Sequence, residues 1–165
     1  MNQLILSQEM LDSGISKICQ AIENHTEDRF NKKMKIRFAY SNSRENLIAV
    51  RFPVQDWQLN QNGTLHGGAM AAGFDMAMGI FSNFIAYLHG NVAVTTHLNV
   101  RFLKSVPADE TVLVTARAEL SENQLISLTG EAWLESSQNL VATADAAFML
   151  ITPPAGTRSL NEHIG

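Results

Sequence analysis

One apolar stretch constrains the fold of this chain more than any other feature. Residues 65–88 carry a single charged side chain, Asp75, in a run of glycine, alanine, methionine and larger apolar residues. A carboxylate is costly to bury unless other groups hydrogen-bond to it or neutralise it. Because the stretch is long enough to span a membrane, three interpretations compete: a membrane helix, a core helix with an isolated acid, and an active site.

The flanks and the interior of this stretch argue against a membrane span. Asp75 lies near its middle and His66 lies at its start, and no Lys or Arg flanks either end to set an orientation in a bilayer. The N-terminal segment lacks the basic start, the long apolar run and the small-residue cleavage site of a signal peptide. We therefore predict a buried helix that is surrounded by protein.

The composition predicts a large hidden surface and no nucleic-acid partner. Of the 165 residues, 45% are hydrophobic and 17% are charged, whereas charged residues usually make up about a quarter of a chain. Much of the chain must therefore lie in a core or a subunit interface. The net charge of −4 argues against nucleic acid as the main partner. Cys19 is the single cysteine, which excludes an intrachain disulfide and favours a reducing, cytoplasmic compartment.

Apolar spacing divides the chain into two helices and six strands. Residues 8–24 have the three-and-four spacing of an amphipathic helix with Ser7 as its N-cap, and residues 25–35 are predicted to be a solvated connection. Alternation and turn residues predict strands over residues 34–41, 46–54, 93–103, 111–120, 125–135 and 139–151. One sheet can enclose the helix of residues 65–88 only by curling around it, so we predict an α+β fold with an antiparallel sheet wrapped around a central helix.

The strand that follows the central helix carries a regular alternation in its sequence. Taken as an unbroken strand, residues 93–103 place every second side chain on the same face of the sheet. One face then carries Val94, Thr96, Leu98, Val100 and Phe102. The other face carries Thr95, His97, Asn99 and Arg101, with His97 expected to be exposed.

The position of Asp75 along the helix predicts a subunit arrangement. If the helix begins near His66, Asp75 lies nine residues later, about 13 Å along the axis and on the opposite side. The free amides at a helix start are suited to a developing negative charge, but those of its own helix are out of reach of Asp75. If the two features act together they belong to different chains, and a two-fold dimer with adjacent central helices creates two such composite sites.

Small side chains surround Asp75 on its own helix face. Ala71, Gly79 and Ser82 are among them. Small residues either let the backbone approach a neighbouring element closely or leave a slot for a thin, linear substrate. Spacing alone does not choose between these two interpretations.

The segment that opens the helix matches a known motif. Residues 60–79 read NQNGTLHGGAMAAGFDMAMG, with a loop asparagine at Asn60, His66-Gly67-Gly68 at the helix start, and Asp75 nine residues after the histidine. This pattern resembles the signature of the hotdog-fold acyl-CoA thioesterases, in particular the phenylacetate-degradation branch. The spacing between the His-Gly-Gly element and the acid is the specific part of the match.

The resemblance also sets the extent of the domain. It continues into the next strand, where the family has a Ser or Thr at the position of Thr95, and it covers about residues 45–151. It implies a hotdog domain over residues 31–152, in which a curved antiparallel β-sheet wraps a long central α-helix. Residues 1–30 form an extra N-terminal helical extension, and residues 153–165 are predicted to be a flexible tail.

The resemblance implies a role for each residue of the motif. The amide of Gly67 binds the thioester carbonyl as an oxyanion hole, and Asn60 helps to hold the substrate or the water. Asp75 of the partner chain is the base that activates water, or less commonly the nucleophile, and Thr95 orients the water or steadies the acid. His66 is either a contact near the thioester or a residue that braces the loop.

These roles predict a hydrolase that needs neither a metal nor a cofactor, apart from the coenzyme A of its substrate. The expected reaction is hydrolysis of a small-to-medium acyl-CoA or aryl-acyl-CoA in a homodimer or a dimer of dimers. The small residues near the motif are candidates for substrate binding: Gly68, Ala71, Gly79 and Ser82. Two alternatives remain open, a non-catalytic acyl-CoA binding module on the same fold and a relative of the enoyl-CoA hydratases.

Overall fold

The computed structural model describes residues 6–120 and 124–153 of the chain. Its helices are α1 (Gln8–Glu23), α2 (Phe30–Lys33) and α3 (Gly67–Leu88), and its strands are β1 (Arg37–Asn42), β2 (Leu47–Pro53), β3 (Val92–Phe102), β4 (Thr111–Leu120), β5 (Leu125–Leu134) and β6 (Leu140–Ile151). The strands form one antiparallel sheet in the order β1-β2-β4-β5-β6-β3. Of the predicted tail, residues 153–165, the structure describes residue 153, and residues 154–165 lie outside the described residues.

The long helix α3 is the core around which the sheet curls. It packs against the five strands β2 to β6, and Phe74, Met78 and Phe81 on it are fully buried. Among the described residues, α3 is the one helix long and apolar enough to cross a membrane. However, 67% of an 18-residue apolar stretch of this helix is buried within the fold. The predicted α+β fold, with an antiparallel sheet around a central helix, is confirmed.

Helix α1 packs onto the central helix α3 and onto β1, the strand at one edge of the sheet. The Ser7 hydroxyl caps it by accepting a hydrogen bond from the Met10 N–H, as predicted. Its apolar face is buried, with Leu11 and Ile15 inaccessible to solvent, and it packs against both β1 and α3. Cys19 is buried on the same face, and burial raises the pKa of its thiol from 9.0 to about 12, as expected of a residue that only packs.

The predicted connection of residues 25–35 contains one helical turn, α2. Its one turn of apolar and basic residues is too short for helical periodicity to reveal. Tertiary contacts hold it: the Lys32 ammonium donates to the His25 carbonyl (2.7 Å), and the Gln55 amide donates to the Lys33 carbonyl (2.8 Å). Directly after the turn, Met34 is completely buried.

Gly130 in β5 is a point of close approach between the sheet and α3. A Cβ at this position would lie 2.5 Å from the Thr115 carbonyl oxygen and 2.7 Å from the Met78 methyl group. Between the pairs Val114–Ala132 and Arg117–Thr129, the Thr115 hydroxyl accepts a hydrogen bond from the Glu131 N–H (3.1 Å). A glycine is therefore required where the sheet bends over the helix.

The alternation predicted for β3 is wrong at its centre. Thr95 pairs with Phe148 and His97 pairs with Ala147, so Thr96 is an extra residue in a β-bulge. One extra residue breaks the alternation, so that the side chains before the bulge point to the face opposite to the one that an unbroken strand would give them. Thr95 therefore faces α3, as Leu98 does, rather than sharing the outer face with His97. His97 is exposed, as predicted.

Two glycines of α3 form a matched pair for a stability test. A Cβ at Gly73 would lie 2.6 Å from the ring of Phe52, which is completely buried, whereas a Cβ at Gly79 would lie 3.6 Å from the ring of Phe148. Both alanine variants gain the same helix propensity, about 1 kcal/mol. Overpacking costs about 1–3 kcal/mol, so we expect Gly73→Ala to be less stable than Gly79→Ala by that amount in denaturant unfolding. Equal stability of the two variants would contradict this packing.

Candidate active site

The start of α3 presents one free backbone amide. His66 is the N-cap, and its Nδ1 accepts a hydrogen bond from the Gly68 N–H (2.9 Å). The His66 carbonyl accepts from the N–H groups of Ala69 and Met70. Within residues 6–120 and 124–153, the Gly67 N–H has no acceptor, so it is available to a ligand oxygen at the positive end of the helix dipole.

The loop before the helix holds His66 in place. The His66 N–H donates to the carbonyl of the buried residue Gln58 (2.8 Å), and the Leu65 N–H donates to the Val106 carbonyl (2.9 Å). A histidine at the N-cap thus combines a backbone anchor with a side-chain acceptor, which is how this residue type can open a helix. In this structure His66 caps the helix and is anchored to the loop, and its predicted place near the thioester stays a prediction.

Asn60 organises the turn that leads into this loop. Its Nδ2 donates to the Thr64 hydroxyl (2.9 Å) and its Oδ1 accepts from the Asn62 N–H (2.9 Å). These bonds give Asn60 the turn role typical of asparagine. The amide nitrogen carries two hydrogens and the turn uses one, so the second can be donated to a ligand. The predicted contact of Asn60 with substrate or water stays a prediction.

A first cleft of about 350 Å³ lies in front of the helix start. It is lined by Asn60, Gly67 and Met70, together with Phe102 at the end of β3 and Lys104 beyond it. The Phe102 ring is 57% exposed and lies over Gly67, 3.3 Å from the position of a Cβ there. The cleft brings together a free amide, an aromatic surface and one cation.

Asp75 lies in a second cleft, of about 330 Å³, further along α3. Its Oδ1 accepts a hydrogen bond from the Thr95 hydroxyl (2.8 Å), across the space between α3 and β3. The other carboxylate oxygen, Oδ2, has no donor within the described residues. A half-buried carboxylate that is held through one oxygen can accept a proton at the other.

Asn83 fixes the strand that carries Thr95. Its Oδ1 accepts from the Ala93 N–H (3.0 Å), and its Nδ2 donates to the Gly79 carbonyl (2.9 Å) and the Ala93 carbonyl (3.4 Å). The side chain therefore ties α3 to the start of β3, two residues before Thr95. The sequence analysis missed Asn83, because a polar residue in an apolar helix does not by itself reveal its partner.

The four predicted substrate-binding residues are in different surroundings. Gly79 lines the second cleft with Asp75. Gly68 is exposed at the helix start, and its amide is taken by His66. Ala71 is half-buried and is not among the residues that line these two clefts. Ser82 is fully buried, lines neither of them, and its hydroxyl has no hydrogen-bond partner in the described part of the chain.

A family model described as the thioesterase superfamily matches residues 62–141. The chain is therefore similar to this superfamily over just under half of its length. The matched region begins in the turn before His66 and ends in β6. It therefore contains the Gly67 amide, Asp75 and Thr95, and it leaves α1 outside. Within the described residues of the chain, no three His, Cys, Asp or Glu side chains form a group that could hold a metal ion.

A curated relative and two solved structures are similar to this chain. The acyl-coenzyme A thioesterase THEM4 of Bos taurus is 28% identical over 91 residues, which are 55% of this chain and 35% of the relative. The chain thus spans about a third of the length of the curated relative. The PaaI protein of the E. coli phenylacetic acid degradation operon superposes with a TM-score of 0.69 and 22% identity, over 84% of this chain and 94% of that chain.

The second structure is smu.793 from Streptococcus mutans UA159, bound to acetyl CoA, with a TM-score of 0.63 and 21% identity over 77% of this chain and 94% of that chain. At these identities the likeness establishes the fold. The hotdog fold that the motif implied is confirmed.

Proposed function

We propose that this chain hydrolyses the thioester of a small-to-medium acyl-coenzyme A or aryl-acyl-coenzyme A to a free acid and coenzyme A. The observation that carries the proposal is the Thr95–Asp75 hydrogen bond in one cleft of α3, on a helix whose unpaired Gly67 N–H opens into a second cleft. The names of the relatives support the substrate class, since one is an acyl-coenzyme A thioesterase and one structure holds acetyl CoA.

The chemistry requires a base and an oxyanion donor. Thr95 donates to Oδ1 of Asp75 and orients the carboxylate, so that Oδ2 takes a proton from water as the water oxygen attacks the thioester carbon. The Gly67 N–H stabilises the negative charge that develops on the carbonyl oxygen. When the C–S bond breaks, the thiolate leaves and takes the proton back from Asp75. Water is the only co-substrate, and no cofactor takes part.

One protomer does not hold both groups at one place. Gly67 lines the first cleft and Asp75 lines the second, and eight residues of helix separate them by about 12 Å along the axis. The edge strand β3 runs beside both clefts, and its residues from Val94 to His97 are exposed. We propose that a second copy of the chain packs here, so that each site combines Gly67 and Asn60 of one subunit with Asp75 and Thr95 of the other.

A release assay tests the activity. Purified protein is incubated with acetyl-, butanoyl-, octanoyl-, palmitoyl-, benzoyl- and phenylacetyl-coenzyme A, and free thiol is measured. We expect thiol release from at least one short or aryl thioester at a cytoplasmic pH. Binding without thiol release from any of them would favour the non-catalytic acyl-CoA module, and hydration of crotonyl-CoA would favour the enoyl-CoA hydratase relative.

Heterodimers test the shared site. Asp75→Asn and Gly67→Pro subunits are co-expressed with different affinity tags and purified through both tags. Because such a dimer has one site with both defects and one site with none, we expect about half of the wild-type rate, although each parent homodimer is inactive. A doubly purified heterodimer that stays inactive would contradict the shared site.

A further inference from the structure

The N-terminal helix α1 is outside the superfamily match, and yet it reaches the cleft of Asp75. Ile18 and Ile22 of α1 line the cleft together with Ala93 and Thr95 of β3 and with residues of α3. The cleft that holds the carboxylate therefore includes a wall from a segment that lies outside the matched region.

The lining of this cleft is both polar and apolar. The polar residues are Asn31, Asp75, Asn83 and Thr95, and the larger apolar residues are Ile18, Ile22, Met76, Ile80 and Phe148. Ile18 is 1% exposed and Phe148 is 2% exposed, so these two surfaces are set rigidly by the core. Gly79 also lines the cleft and adds no side chain to it.

The direction of a bound thioester follows from its chemistry. In the proposed shared site, the carbonyl oxygen points to the Gly67 amide of the other subunit, and the pantetheine and phosphates of coenzyme A require polar or solvated surroundings. The remaining substituent of the carbonyl carbon is the acyl group, which gains free energy by burial against apolar side chains. The apolar side chains that line the Asp75 cleft offer the acyl group such a surface.

We propose that α1 is a selectivity wall for the acyl group, in which Ile18 and Ile22 close the apolar end of the Asp75 cleft and restrict it to short aliphatic or single-ring acyl groups. This inference rests on the proposed thioesterase function. The cleft volume of about 330 Å³ is at the lower end of the range for ligand pockets, about 300–1,000 Å³. A long acyl chain is excluded as long as α1 stays in place.

Substitutions at Ile22 test the wall. Ile22 is half-buried at the cleft, so it can be changed without emptying the core. We expect Ile22→Ala to raise the ratio of kcat/KM for octanoyl-CoA to that for butanoyl-CoA by about tenfold, and Ile22→Trp to lower it by a similar factor. Ile15→Val is the control, since Ile15 is buried in α1 and does not line this cleft, and it is expected to leave the ratio unchanged.

A second measurement separates the wall from the activity. Binding of S-alkyl-coenzyme A thioethers of increasing chain length, followed by calorimetry, reports acyl selectivity without turnover. If the wild type releases thiol but the Ile22 variants change all substrates equally, the wall is wrong and the proposed function stands. If no thiol is released, the proposed activity is wrong. In that case a change in the chain-length preference of binding in Ile22→Ala supports the selectivity wall. An unchanged preference, or no binding, overturns the selectivity wall.

Discussion

Replacement of Asp75 by asparagine is expected to lower kcat by about two to four orders of magnitude, because a positioned general base contributes about that much to a rate. Asparagine keeps the shape of the side chain and can still accept the Thr95 hydrogen bond at its oxygen. It loses the ability to take a proton from water. The measurement is thiol release at saturating substrate, with the melting temperature as a check of the fold.

Asp145 supplies a matched control for this variant. It lies on the outer face of β6, where its carboxylate contacts the His97 ring (3.2 Å) and the Asn99 amide (3.0 Å). Asp145→Asn removes one carboxylate without touching either cleft of the site, so the rate is expected to stay at the wild-type level. An Asp75→Asn enzyme that retains the activity of Asp145→Asn would rule out Asp75 as the base.

Replacement of Gly67 by proline is expected to lower kcat by about two to three orders of magnitude, which is the effect of removing one oxyanion donor. Gly67 is the first residue of α3, a position where proline fits the helix backbone, so that the substitution removes the N–H and adds a ring. His66 before it has φ −63° and ψ 137°, a conformation that suits the residue before a proline. The substitution therefore deletes the amide with little change in the backbone.

Gly67→Ala is the control for the proline variant. Alanine retains the N–H and adds a Cβ, which would lie 3.3 Å from the ring of Phe102. Because that ring is more than half exposed, it can move aside. We expect Gly67→Ala to keep most of the activity and Gly67→Pro to lose it at an unchanged melting temperature. Equal kcat values for the two variants would show that the amide is not an oxyanion donor.

Much of the fold follows from local patterns in the sequence. The six strands and the two long helices were predicted within a few residues of their observed bounds, because burial on one side of a sheet or helix imposes a period on the sequence. The Ser7 cap was predicted for a similar reason, since a hydroxyl before an apolar helix satisfies a free amide. The one-turn helix α2 was missed, because a single turn has no period.

The candidate site was predicted in part. The chemistry of Asp75 and of the helix start can be read from one apolar run that contains one acid, and Thr95 does contact that acid. Ser82 was grouped with Asp75 from helical spacing, but it is fully buried and outside the two clefts. Helical spacing gives an angle around the axis, whereas the depth of burial depends on what packs above that angle.

The sequence by itself therefore determined the elements, the α+β class, the lone acid and its distance from the helix start, because each depends on neighbours along the chain. The tertiary structure alone decided that Thr95 faces α3, because the bulge at Thr96 depends on pairing with β6. It likewise decided that Asn83 anchors β3 and that α1 reaches the cleft of Asp75. Such contacts join residues that are distant in the chain, so a local pattern in the sequence does not reveal them.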